Sequence, residues 1–298
     1  MNRARRALRI LLPVLLLAGC REEQAPRPNS ASPASAPESD VRRVIAYGPS
    51  IVEFLFAMGL QDRIVGVSPH CDHPAEARRL PVVGTAVEPN VEKILALRPD
   101  LIVALGKGFK LERIARRQGI RFLALESTSV GDVLRAPVRL GDALRNPRAG
   151  EPVATRLKRE LDEIRQLYSG RPRLDVLVAM GSKSHQVFSA GKGSFLTGLV
   201  ELAGSRSITA DLEKPWPMVS LETVLVRRPQ VILVLDSRDH LPEEVKNRFL
   251  AEWRMHPTLP AVRDGRVRVL NGSFLMRSGP RLPQAARLIA RAIHGGEE

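Results

Sequence analysis

Residues 91–105 read VEKILALRPDLIVAL, and residues 221–235 read LETVLVRRPQVILVL. The two segments align without a gap, and Glu92/Glu222, Leu95/Leu225, Arg98/Arg228, Pro99/Pro229, Ile102/Ile232 and Leu105/Leu235 coincide. Each begins with apolar residues at helical spacing, breaks at Arg-Pro and ends in an apolar run of strand length. A proline disfavours helical backbone at the residue before it. The pattern therefore predicts a helix–break–strand unit. One copy in each half predicts two lobes of similar build, because a solenoid needs several stacked repeats.

Around these copies, short apolar runs alternate with amphipathic stretches. Val44–Tyr47, Ile64–Val67 and Leu101–Leu105 read as strands, and Ile51–Met58 as a helix stopped at Gly59. Apolar strands alternating with helices indicate an α/β fold, with parallel sheets covered on both faces. Between the copies, Val153, Ala154, Leu157, Leu161, Ile164 and Leu167 mark one face of a long helix, with Pro147 before it and Gly170-Arg171-Pro172 after it. A helix of about 22 residues spans about 33 Å, long enough to join two lobes and restrict their opening. The expected organisation is a signal segment over 1–19, a tether over 20–40, a first lobe over 41–146, a linking helix over 147–170 and a second lobe over 171–298.

The signal segment carries Arg3, Arg5, Arg6 and Arg9, then a short apolar run, and ends in Leu17-Ala18-Gly19-Cys20. The run is too short to span a bilayer, and small residues before a cysteine predict lipidation of Cys20. The Pro/Ser/Ala-rich stretch that follows cannot bury a core and reads as a tether. The chain is thus expected to be exported and held to the membrane by lipid alone. The formal charge is +14, of which those four arginines contribute part. The other arginines are scattered and aromatic residues make up only 4% of the chain, so nucleic acid is not the expected partner. After Cys20 the one cysteine is Cys71, so no disulfide is expected within the body.

Enzyme signatures are missing. There is no G-x-x-x-x-G-K-[ST] phosphate loop and no G-x-S-x-G elbow. His70-Cys71-Asp72-His73 sets four potential metal ligands in a row, and is either a metal-handling site or a polar loop after a strand. His70 follows the carboxyl end of a strand, where α/β folds bind ligands. Trp216, held between Pro215 and Pro217, offers either a stiff face for stacking on a planar ligand or a packing residue. Trp253 reads as packing. Glu92 and Glu222 follow Asn90 and Ser220, good N-cap residues. They serve either as first-turn acids or as a symmetric pair of docking points.

The segments RVIAYGPSIVEFLFAMG, VGVSPHCDHPAEA, PNVEKILALRPDLIVA, VFSAGKGSF, KPWPMVSLETVL and FLMRSGPRL occur in this order around the long helix. Together they resemble the helical-backbone periplasmic binding proteins of ABC importers for cobalamin, iron-siderophores and haem, above all the cobalamin-binding members. The resemblance implies two Rossmann-like lobes joined by one helix, with a ligand cleft between them. It implies His70, Phe188, Trp216 and Arg277 as ligand contacts, and Glu92 and Glu222 as docking points for arginines of a permease dimer with its ATPases. It implies a monomer that carries out no catalysis and holds no metal or cofactor of its own, with cobalamin as cargo and a ferric siderophore or haem as the alternative. A tryptophan of the cobalamin-binding members falls near Ala86 here, and an acidic residue before Arg277 falls at Ser273 or Met276. Of the two tyrosines, Tyr47 at a strand end is the one that leaves a haem ligand open.

Overall fold

The computed structural model describes residues 40–181 and 186–295. The signal segment, Cys20 and nearly all of the tether lie outside the described residues. The first lobe runs β1 (Val44–Tyr47), α1 (Pro49–Ala57), β2 (Ile64–Val67), α2 (Val91–Ala96), β3 (Leu101–Leu105), α3 (Phe109–Arg117) and β4 (Arg121–Leu125). Its strands form one parallel sheet in the order β2-β1-β3-β4. Then come α4 (Val130–Ala143) and the 22-residue α5 (Pro147–Tyr168).

The second lobe runs β5 (Asp175–Met180), β6 (Gln186–Phe188), α6 (Phe195–Leu202), β7 (Arg206–Ser207), β8 (Met218–Ser220), α7 (Leu221–Arg227) and β9 (Val231–Asp236). It ends with α8 (Glu243–Arg254), α9 (Pro260–Arg263), β10 (Val267–Asn271) and α10 (Leu282–His294). Its parallel sheet has the order β7-β5-β9-β10. Strands β1, β2, β3 and β4 therefore match β5, β7, β9 and β10 place for place. The sequence repeat is the α2–β3 and α7–β9 unit of these two sheets. Its Arg-Pro break has the same geometry twice: Arg98 and Arg228 both take left-handed backbone, with φ of 42° and 47°. The prolines that follow them are both buried.

Both faces of each sheet are covered. In the first, Val44, Ala46, Leu101 and Val103 point to the inner core, while Ile45, Tyr47, Ile102 and Ala104 pack outward with Ile94 and Leu111. In the second, Val176, Val178, Val231 and Leu233 point inward, and Leu177, Ala179, Ile232 and Val234 pack outward with Phe249 and Trp253. Trp253 is thus a packing residue. The inner core is continuous through both lobes, threaded by Leu157, Leu161 and Ile164 of α5 and by Leu282, Ala286 and Ile289 of α10. Lobe opening would have to tear a shared apolar core, whose close packing resists separation.

The close approach of α4 and α5 depends on Gly150. A Cβ there would fall on the Pro137 carbonyl. Outside the main sheets, β6 and β8 pair antiparallel as a small arm, with Phe188 opposite Met218.

Candidate ligand-binding cleft

The carboxyl ends of the two sheets face a pocket of about 620 Å³. From the first lobe it is lined by Pro49 and Ser50 after β1, His70 and Asp72 after β2, and Leu105 at the end of β3. From the second come Arg238 and Asp239 after β9, and Met276 and Arg277 after β10. His70 and Arg277, both expected as contacts, share this pocket.

Arg277 is held by the first lobe. Its Nη1 donates to Asp72 Oδ1 at 2.7 Å and to Glu53 Oε1 at 3.2 Å, and its Nη2 donates to the His70 carbonyl at 3.2 Å. Four residues further on, just before α10, Arg281 donates to both Glu53 oxygens, at 2.9 and 2.7 Å. Burial alone would ease the proton off Arg277, but its bonds to Asp72 and Glu53 outweigh that and hold it more tightly than usual. The acidic partner of Arg277 thus comes from the opposite lobe and not from the residues just before it.

Glu53 and Arg281 are absent from the sequence-derived site. The signal for Glu53 lies in its setting, because it is the one charged residue in IVEFLFAM, an apolar helix in which its neighbours Ile51, Val52, Phe54 and Leu55 are all buried. A charge there must be paired.

Phe188 and Trp216 are not among the residues lining that pocket. Both belong to the region of the β6–β8 arm. Phe188 is 38% exposed and Trp216 is half-buried. The Trp216 ring meets Phe195 edge-on, with centroids 5.5 Å apart. The carbonyls on either side of Trp216 are both bound, since Gly191 N donates to Pro215 O and Ser189 N to Pro217 O, each at 2.9 Å. The tryptophan is therefore fixed to the VFSAGKGSF segment and not carried on a loose loop.

Glu92 and Glu222 occupy the first turns of α2 and α7 and are exposed. Asn90 Oδ1 accepts from Lys93 N at 2.9 Å, and Ser220 Oγ from Thr223 N at 3.2 Å, so both expected caps form.

A family model described as periplasmic binding protein matches residues 44–273. The chain belongs to the periplasmic binding protein family. The vitamin B12-binding protein of Pectobacterium carotovorum subsp. carotovorum strain PC1 is 30% identical to it over 255 residues, 85% of this chain and 88% of that one. The crystal structure of the periplasmic vitamin B12 binding protein BtuF of Vibrio cholerae matches with a TM-score of 0.72 at 28% identity, over 85% of this chain and 97% of that one. A periplasmic heme-binding protein from Pseudomonas aeruginosa matches with a TM-score of 0.70 at 26% identity, over 87% and 94%.

Membership in this family places the chain among binding proteins and not in an enzyme family. Among the described residues, no helix is long and apolar enough to cross a membrane.

The structure corrects the expectation for Tyr47. Its hydroxyl donates to the Val83 carbonyl at 3.1 Å inside the first lobe, and burial pushes its pKa well up. It is not placed to meet a ligand. Tyr168 stacks on His294, with ring centroids 5.3 Å apart. The His70–His73 row also disperses. Cys71 is buried with its sulfur 3.7 Å from Ser68 Oγ, and burial pushes its thiol up. Asp72 is bound to Arg277. Among the described residues, no group of three His, Cys, Asp or Glu side chains is arranged to hold a metal ion.

Proposed function

We propose that this periplasmic binding protein captures a cobalamin between its lobes and delivers it to an ABC importer. The observation that carries this reading is the likeness, along most of both chains, to vitamin B12-binding proteins. The cleft chemistry is compatible with it. Phe188 and Trp216 offer apolar surface from the second lobe, and His70 and Arg277 offer polar contacts from a pocket between the sheets.

Glu92 and Glu222 are the proposed docking points for basic side chains of a permease dimer, whose ATPases drive uptake. Cys20 is the proposed site of lipidation, holding a monomeric body near the membrane. The protein catalyses no reaction of its cargo and needs no cofactor of its own.

The match to a heme-binding protein supports a second reading, capture of haem or a ferric siderophore. Haem bound through tyrosine is disfavoured, because the Tyr47 hydroxyl is committed to Val83.

Calorimetric titration of the purified chain with cyanocobalamin, a ferric hydroxamate and haemin separates the two. Saturable binding of the corrinoid alone is expected. Binding of haemin or the siderophore without the corrinoid would replace the first reading by the second.

A further inference from the structure

We infer that the His70 imidazole is an axial ligand to the metal at the centre of the bound chelate. The inference rests on the corrinoid reading above and adds a coordinate bond to it.

His70 is exposed and lines the pocket between the two sheets. Its backbone has a φ of 66°, a region that residues other than glycine seldom occupy. Strain of this kind persists only where the surroundings hold it, as they also do at Arg98 and Arg228. Here the hold is visible. Arg277 Nη2 donates to the His70 carbonyl, and Arg277 is itself fixed by Glu53 and Asp72. The backbone of His70 is thus anchored from the opposite lobe, while its ring has no hydrogen bond or ion pair among the described residues.

Other donors nearby are committed elsewhere or, like His73, do not line this pocket. Cys71 is buried, with its sulfur against the Ser68 hydroxyl at 3.7 Å. Asp72 is tied to Arg277 and Tyr47 to Val83. Met276 also lines the pocket, but a thioether suits softer, reduced metals. A neutral imidazole is a good ligand for the cobalt or iron of a chelate.

With aquocobalamin the step balances simply. One imidazole nitrogen gives its lone pair to Co(III), the axial water leaves, and the cobalt keeps its oxidation state. Cyanide is a stronger ligand than imidazole and is not displaced. The protein should therefore prefer aquocobalamin to cyanocobalamin.

The test uses the full chain, solubilised in detergent, titrated with each corrinoid while its visible absorption is recorded. Bound aquocobalamin is expected to shift to the spectrum of an imidazole-ligated corrinoid, and bound cyanocobalamin to keep its own. In His70→Phe, and in His70→Asn, which tolerates left-handed backbone, the shift is lost and so is the preference between the two corrinoids. Wild-type protein that binds aquocobalamin with an unshifted spectrum overturns the inference, whatever the variants do. Failure of both corrinoids to bind overturns the ligand reading itself, and the inference with it.

Discussion

The Glu53 carboxylate, 2% exposed in α1, is gripped by Arg281 of the opposite lobe through two hydrogen bonds at 2.7 and 2.9 Å. Arg277 adds a third contact at 3.2 Å. Taking a carboxylate out of water costs several kcal/mol, which only well-formed ion pairs offset. Removing the charge leaves two arginines with a neutral partner in a largely buried place. Glu53→Gln is therefore expected to lower the unfolding free energy by about 3–5 kcal/mol. Urea unfolding checks this. An unchanged midpoint would mean that the arginines find other partners and that the cluster does not hold the lobes.

Asp72 gives the same cluster a pH dependence. Burial pushes its carboxyl up, but the hydrogen bond and charge of Arg277 outweigh that and hold it below the usual carboxylate value. A depressed folded pKa contributes stability above the unfolded value, near 3.9, and that stability is lost as pH falls through the folded pKa. The side chain is 39% exposed, so solvent screens the pair and the effect should stay within about 1 kcal/mol. Wild type and Asp72→Asn should differ in unfolding midpoint at neutral pH and converge in acid. Curves that stay parallel down to the acid limit would exclude the Asp72–Arg277 bond as the cause.

What the sequence makes legible here is whatever repeats or has a period. The α2–β3 unit announces its α7–β9 counterpart because the same Arg-Pro break is needed twice. The long helix declares itself through Val153, Leu157, Leu161 and Ile164, all buried on one face. The Glu53–Arg281 pair spans 228 residues, and no local pattern joins its ends. The strands β6 and β8 are three residues each, too short to show a period, and only their mutual pairing makes them strands. The position of Tyr47 is illegible for a related reason. A strand end seen alone looks open to the cleft, and only the tertiary fold brings Val83 over its hydroxyl.

Gly150 tests whether α5 works as a rigid strut. It lies in the first turns of the helix, where the backbone meets Pro137 of α4, and an added Cβ would collide with the Pro137 carbonyl. Backbone cannot swing aside as a flexible side chain can. Gly150→Ala is expected to destabilise the protein by about 1–3 kcal/mol, the usual cost of overpacking. Gly119→Ala is a poor comparison because its φ is +66°. Gly170→Ala is a better one, since it lies just beyond α5, has no neighbour in reach and lacks a positive φ. A thermal midpoint that falls in Gly150→Ala and not in Gly170→Ala would locate the effect at the α4–α5 crossing. Equal midpoints would show that the two helices have room to separate.

Gly191 offers a way to move Trp216 without altering the ring. Its N–H donates to the Pro215 carbonyl at 2.9 Å, and a Cβ at Gly191 would collide with the Lys214 carbonyl. Alanine there must push the Lys214–Pro217 turn away, and Trp216 with it, while Phe195 stays in the core. If the Trp216 ring forms part of the ligand surface, Gly191→Ala should weaken corrinoid binding about tenfold or more, about 1.4 kcal/mol. Trp216→Ala, which removes the ring outright, should weaken it at least as much. Calorimetry gives both affinities, and thermal unfolding gives the accompanying loss of stability. Reduced affinity in both variants identifies a ring held ready for the ligand by its own backbone clamp. Reduced stability with unchanged affinity would instead make Trp216 a packing partner of Phe195, and the apolar wall of the cleft would have to be sought among the residues around Phe188.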